Sequence, residues 1–271
     1  MRHRLSPLFE SKEPPAAQAI AGLRWIDFEL RPHSHIQSHS HGELHLCIVQ
    51  SGQFEEREGK RYHRCSVDIA RLSRPGVSHE LYTEKDASSG KMIELLPGWG
   101  YNDPRFLKED MSNVYLSLSD DRALIHDIVT NLEKSEIISL KPFLLVRQLL
   151  ANHAFAEYQR PSWYDEVKAY LDDNYLEQSL SIRLAIETGL HRTHFARQFF
   201  RAFGCSVGEY TRVQRLDHAI YLIRNSALPL SAIAHECMFS DQSHLTRSFK
   251  TYVGLTPGMY KQLSSATQST A

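Results

Sequence analysis

A chain of 271 residues is long enough for two domains of ordinary size, and its 42% hydrophobic and 10% aromatic residues exclude an intrinsically disordered protein. A net charge of −1 argues by itself against a nucleic-acid binder, yet from Arg183 to Lys261 ten Lys/Arg stand against five Asp/Glu, an asymmetry that permits a DNA-binding face. Four scattered cysteines (Cys47, Cys65, Cys205 and Cys237) without a CxxC pair, an opening "MRHRLSPLFE" without an apolar signal core, and no bilayer-length apolar run place the expected site of action in a reducing cytoplasm, off the membrane.

Up to about residue 100 the pattern is that of strands. In "ELHLCIVQSG", Leu44, Leu46 and Ile48 alternate with His45, Cys47 and Val49, and "GQFEEREGKRYHR" puts Glu58-Gly59 between two short runs as a hairpin signal. Further strands are expected at 67–72 and 92–96, so that this region is an all-β barrel or sandwich. After about residue 119 the period becomes helical. Leu124, Ile125, Ile128, Val129 and Leu132 mark one amphipathic face, and Phe143, Val146, Leu149, Leu150 and His153 a second. These faces serve either a dimer or packing on the barrel. "EYQRPSWYDE" marks a boundary, with Pro161 ending one helix and Ser162 capping the next, and helix continues to about Leu263 before a small polar tail expected to be disordered.

Within the helical part a unit occurs twice. "FARQFFRAFGCSVGEY" (195–210) and "LTRSFKTYVGLTPGMY" (245–260) align at an offset of 50: Arg197 meets Arg247, Phe199 meets Phe249, Gly204 meets Gly254, Ser206 meets Thr256 and Tyr210 meets Tyr260. A short helix precedes each copy, carrying Ala185 and Ala234 where a second helix can approach closely, and a turn of a few residues follows. That is the layout of a helix-turn-helix, whose second helix enters the major groove. Periodicity turns Phe195, Phe199, Phe203, Leu245 and Phe249 inward. It leaves Thr193, His194, Arg197 and Arg201 outward in the first copy, and Gln242, Ser243, Thr246, Arg247 and Lys250 in the second. These side chains suit DNA: Arg for guanine, Gln for adenine, the Thr methyl for thymine, Arg or Lys for phosphate. Any amphipathic helix turns polar residues outward, but two copies in register, each behind a small-residue helix, are not explained by that alone.

"IAHECMFSDQSHLTRSFKTYVGLTPGMY", with F-S-D-Q-S, R-x-F-K and G-x-T-P in order, and less completely "LAIETGLHRTHFARQFFRAFGCSVGEYTRVQRLDHAIYLI", resemble the DNA-binding domain of the AraC/XylS family of transcription regulators. The resemblance implies two helix-turn-helix units joined by a long helix, here about Val207 to Ile223, with recognition helices in major-groove segments about 34 Å apart. Two residues depart from the pattern. Met238 stands at a turn position where glycine is usual, at a cost of about 1 kcal/mol if φ is positive, and His191 replaces a capping Ser, which weakens the start of the first recognition helix.

Over residues 30–85, "SHSHGELHLCIVQSG" followed by "RPGVSH" resembles the two motifs of the cupin fold, a small β-barrel that serves many AraC-type regulators as a ligand sensor. The resemblance implies an effector pocket, with Arg24, Trp25, Arg71 and Tyr82 as candidate contacts. It also places His39, His41 and His79 at metal-ligand positions and His45 where metal-binding cupins have Glu. On a strand His39 and His41 share a face, whereas His45 comes within reach only if the chain bends at Gly42. Four imidazoles suit Zn, Ni, Cu or Fe(II). With 15 histidines in the chain, clusters arise easily by chance, and satisfied or solvent-facing rings explain this one better than a bound metal does.

The expectation is an α+β multidomain protein: a cupin-like effector-sensing barrel at 1–118, a helical linker and dimerisation segment at 119–161, an all-α double helix-turn-helix domain at 162–263 and a tail at 264–271. Its expected function is a cytoplasmic, dimeric, sequence-specific transcription regulator. Its partners would be promoter DNA, a small organic effector and, for an activator, RNA polymerase. A metal-dependent cupin enzyme or metal sensor built on the four histidines is the alternative, and an architectural DNA-binding protein without effector is a third reading.

Overall fold

The computed structural model describes residues 19–20, 22–95, 113–118, 121–133 and 139–268. They fall into two compact units, Met1–Val129 and Thr130–Ala271, in the order expected, β first and then α. Among the described residues no helix is long and apolar enough to cross a membrane.

The N-terminal unit holds β1 (Ala19–Ile20), β2 (Leu23–Leu30), β3 (His35–His39), β4 (Leu44–Ser51), β5 (Gln53–Glu58), β6 (Arg61–Ser66), β7 (Ile69–Ser73), β8 (His79–Tyr82), β9 (Ser88–Leu95) and β10 (Val114–Ser117). All pair antiparallel, in a six-stranded sheet of order β1-β2-β9-β4-β7-β10 and a four-stranded sheet of order β3-β8-β5-β6. The hairpin signal at Glu58-Gly59 is the β5–β6 turn, where Glu58 opposes Arg61 and Gly59 takes φ 60°. Alternation buries one face of each sheet against the other: Phe28, Leu30, Cys47 and Val49 from the larger meet Ile36, Phe54, Cys65 and Leu81 from the smaller. β4 is buried on both faces from Leu44 to Val49, so it shows a continuous apolar run rather than alternation.

The division between the units falls within α1 (Arg122–Glu133). Its Leu124, Ile128, Val129 and Leu132 are buried in the single chain. The second expected face belongs to α2 (Lys141–Ala154) and is also buried, at Phe143, Val146, Leu149 and Leu150. α2 is an integral part of the C-terminal unit rather than a linker outside it. Asp217 accepts from the Leu140 N–H at 2.7 Å at its start, Arg147 Nε donates to Gly204 O at 2.8 Å in its middle, and the Phe143 ring lies 5.4 Å from that of Tyr252.

α3 (Tyr164–Asn174), α4 (Leu180–Glu187), α5 (Arg192–Phe203), α6 (Val207–Asn225), α7 (Leu230–Glu236), α8 (Gln242–Val253) and α9 (Pro257–Gln268) complete this unit. Ser162 does not cap α3. The helix is entered through a turn in which Tyr164 N–H donates to Pro161 O at 3.0 Å, and Asp165 and Glu166 supply negative charge to its first turn. The long helix expected at Val207 to Ile223 is α6. Its Arg215 donates to the carbonyls of Tyr175 and Glu177, each at 2.8 Å. α9 runs to Gln268, into the stretch expected to be disordered, because the Ser, Ala, Thr and Gln there contain no helix breaker; residues 269–271 lie outside the described residues. The four cysteines are buried free thiols, as expected.

Candidate nucleic-acid interface and histidine cluster

Each half of the repeat is a short helix, a turn and a longer helix: α4 then α5, and α7 then α8. Ala185 and Ala234 are buried where the helices cross. Behind α5, Phe195, Phe199 and Phe203 are almost fully buried, Phe199 stacking on Phe203 at 4.3 Å; behind α8, Leu245 and Phe249 hold the matching places. Burying these stripes at about 25 cal/mol per Å² fixes the opposite face outward.

The turns differ as the sequence suggested. Gly189 takes φ 68° in the first and Met238 φ 59° in the second, so Met238 does carry the left-handed strain. Asp241 caps α8 strongly, its carboxylate accepting from His244 N–H at 2.7 Å, and that bond holds its pKa below the ordinary value. His191 does cap α5, but Thr193 N–H reaches its Nδ1 only at 3.4 Å. Both long helices end on a left-handed glycine, Gly204 at φ 71° and Gly254 at φ 79°.

On α8, Gln242, Ser243, Arg247 and Lys250 are exposed and Thr246 half-buried, along one outward face as expected. On α5, Thr193 and Arg197 are exposed, while His194 is held between Gln198 and Arg197, whose Nη2 lies 3.2 Å from His194 Nδ1. Arg201 is exposed, but its guanidinium lies over the rings of Phe155 and Tyr158 at 5.9 and 5.6 Å. Arg192, exposed in the first turn of α5, was not singled out in the sequence, although its place one residue before Thr193 marks it.

In the N-terminal unit, register shows that the four effector candidates do not share a site. Arg24, Glu94, His45 and Ser73 form one row across β2, β9, β4 and β7, and Ile26, Met92, Cys47 and Arg71 form the next, on the face turned to the smaller sheet. Trp25, buried, points to the opposite face of β2. Tyr82 stacks on His35 at 4.4 Å and bonds Glu80, in register with Glu55 on the outer face of the smaller sheet. Arg24 pairs with Glu94.

Arg71 is 3% exposed and bridges the two sheets: its Nη1 lies 2.7 Å from Glu56, itself 0% exposed, and its Nη2 lies 3.2 Å from His45 Nε2. Asn113 Nδ2 donates to Glu56 at 3.0 Å. No motif marks Glu56, but period 2 puts it on the same side as buried Phe54.

The histidines gather at one end of this interior. A bulge in β3 between Ile36 and His39 brings His39 opposite His79 on β8, and Gly76 N–H donates to His41 O at 2.9 Å, tying the loop after β3 to the loop before β8. One ligand nitrogen each of His39, His41 and His79 lies within 4.8 Å of the others. The bend expected at Gly42 does bring His45 close, its ring 4.1 Å from that of His41, but its Nε2 faces Arg71. Burial, with Arg71 and neighbouring imidazoles adding to it, lowers the pKa of His41 to about 3 and of His79 to about 2, and lowers that of His45 well below the ordinary value. These three rings are neutral at physiological pH.

A family model described as a helix-turn-helix domain matches residues 184–263. The chain is 32% identical over 93 residues to the transcriptional regulator Rob of Salmonella typhimurium, covering 34% of this chain and 32% of Rob, so the match spans about a third of that relative's length. It is 22% identical over 258 residues to the uncharacterized HTH-type transcriptional regulator YfiF of Bacillus subtilis, covering 86% of this chain and 81% of YfiF. Among solved structures, unsaturated fatty acid-bound ToxT of Vibrio cholerae aligns with a TM-score of 0.39 at 11% identity, over 88% of this chain and 94% of that one.

Proposed function

We propose that this chain is a member of the AraC/XylS family of transcription regulators, a reading supported by the helix-turn-helix match over residues 184–263 and the likeness to Rob, and that the whole protein is a cytoplasmic, sequence-specific regulator that binds promoter DNA through α5 and α8. The observation that carries the reading is the pair of helix-turn-helix units within one compact unit, each presenting a polar outward face over a buried aromatic or aliphatic stripe. Thr193, His194, Arg197 and Arg201 on the first helix, and Gln242, Ser243, Thr246, Arg247 and Lys250 on the second, are the proposed DNA contacts.

The cupin-like N-terminal unit is the proposed sensor, and a small organic effector would act by its differential affinity for two arrangements of the chain. Arg71 reaches such a ligand only by leaving Glu56 and His45, and Tyr82 only from outside the smaller sheet, so the two belong to different candidate surfaces. A homodimer is part of the proposal, formed by surfaces other than the buried stripes of α1 and α2. RNA polymerase is the further partner if the protein activates.

The test is retention of sheared genomic DNA by the purified protein at physiological salt, followed by sequencing. Enrichment of a few promoter fragments with paired half-sites is expected; uniform retention would leave a non-specific DNA binder. On an enriched site, Arg247→Ala is expected to cost about 1–3 kcal/mol and to relax one base preference, measured by titration against single-base variants. An equal loss on every sequence would assign Arg247 to phosphate. Lys250→Ala is expected to reduce the slope of log affinity against log salt by about 1. Arg201→Ala should change it by less, because that guanidinium is already engaged over Phe155 and Tyr158; equal changes would show that it leaves the rings for phosphate.

A further inference from the structure

Along the chain the two helix-turn-helix halves are joined by α6, and a cleft of about 270 Å³ opens beside it, with Leu180 and Ser181 of the first half and Phe239 and His244 of the second among its walls. Arg215 of α6 reaches both sides, firmly to Tyr175 O and Glu177 O at 2.8 Å but only at 3.5 Å to Met238 O. Such a joint matters because small rotations become large displacements at the reading helices. With α5 and α8 about 34 Å apart, a rotation of about 10° at the middle of α6 moves each by about 3 Å, close to one base-pair step.

α2 spans this joint. The ring of Phe143 meets that of Tyr252, in the last turn of α8, edge-on at 5.4 Å. One turn along α2, Arg147 Nε donates to Gly204 O, at the end of α5, at 2.8 Å; its Nη1 lies 3.3 Å from Glu209 at the start of α6, and its guanidinium 5.6 Å from the Phe143 ring. Asp217, in the middle of α6, accepts from the Leu140 N–H at 2.7 Å. Phe143 and Arg147 are buried, so their contacts are made where water does not compete for them. One helix thus holds the C-terminal ends of both long helices and the helix that joins them. We infer that α2 is a brace that sets the spacing and angle of α5 and α8, with Phe143, Arg147 and Tyr252 as positioning residues. The inference rests on the reading of α5 and α8 as DNA-contacting helices, and it makes the DNA-binding module begin with α2 rather than after Pro161.

The test uses the full chain with spin labels at Ala196→Cys on α5 and Ser243→Cys on α8, both exposed positions, the native thiols being buried. Pulsed electron resonance is expected to give one narrow distance in the otherwise unchanged protein. Tyr252→Ala, which removes the half-buried ring that Phe143 meets, should shift or broaden it by about 3 Å or more, close to one base-pair step, and Tyr252→Phe should restore it. Tyr252→Leu leaves a smaller cavity and takes the place of Tyr252→Ala if circular dichroism shows that variant unfolded. On an enriched promoter fragment, moving one half-site by one base pair should weaken binding of the unlabelled protein by at least about 10-fold, and that of Tyr252→Ala by less than about 3-fold. A purely structural loss would weaken binding at both spacings equally and leave the preference intact. An unchanged distance distribution in folded Tyr252→Ala, or an unchanged spacing preference, overturns the brace. The distance measurement needs no DNA and so decides the brace separately from the DNA-binding reading.

Discussion

Gly204→Ala is expected to destabilise the C-terminal unit by about 2–4 kcal/mol, and Gly254→Ala by only about 1 kcal/mol. The two glycines end matching helices in matching left-handed conformations, so local geometry alone would make the costs equal. They differ in their surroundings. A Cβ on Gly204 would lie 2.3 Å from Arg147 O and 2.7 Å from Arg147 C, the backbone of α2, whereas a Cβ on Gly254 meets nothing within 4 Å. Gly254→Ala therefore carries the conformational penalty alone, and Gly204→Ala adds overpacking against a helix pinned by the Arg147 to Gly204 hydrogen bond. Urea unfolding of both variants checks this. Equal losses would mean that α2 does not sit against α5 in solution.

Removing either partner of the Glu56–Arg71 pair should have a comparable or larger effect. Glu56→Leu and Arg71→Leu are each expected to cost about 3–5 kcal/mol, because each leaves the opposite charge buried without its counter-ion. The double variant should cost less than either single one, since taking both charges out of a dry interior also removes both desolvation penalties. Removing Glu56 leaves the guanidinium beside the His45 imidazole with no counter-charge from Glu56, and removing Arg71 leaves a carboxylate held by Asn113. Chemical denaturation of the two single variants and the double one closes the cycle. Single losses below about 1 kcal/mol would show water reaching the pair, as at exposed ion pairs.

The helix-turn-helix pair was legible because its information is local. A phenylalanine every four residues, a glycine closing the helix and a polar residue opening it all lie within a dozen positions, and helical geometry turns that spacing directly into faces. The β first, α second order was legible for the same reason. Contacts across many residues were not. The apolar stripe of α2 looks the same whether it will meet a second copy, the barrel or the helices of its own unit, and the partners found around it, Gly204 and Asp217, lie far along the chain. Arg201 reads as a free cation until Phe155 and Tyr158 are found beneath it. Glu56 sits in a charged run that looks like a solvated hairpin, and its partner Arg71 comes from the other sheet. His45 has the right spacing for the histidine cluster, but Arg71 determines which way its nitrogen faces.

The four buried thiols have a use that their chemistry makes plain. Burial raises the pKa of every one, Cys47 to about 11 and Cys237 to about 12, with Cys65 and Cys205 also pushed up. Alkylating reagents attack the thiolate, so each cysteine stays silent until the structure around it opens. Cys47 and Cys65 lie in the N-terminal unit, Cys205 directly follows the glycine that ends α5, and Cys237 closes α7. The native chain thus carries separate chemical clocks for the β unit and for each helix-turn-helix half, and the labelling rate of each records how often that part breathes.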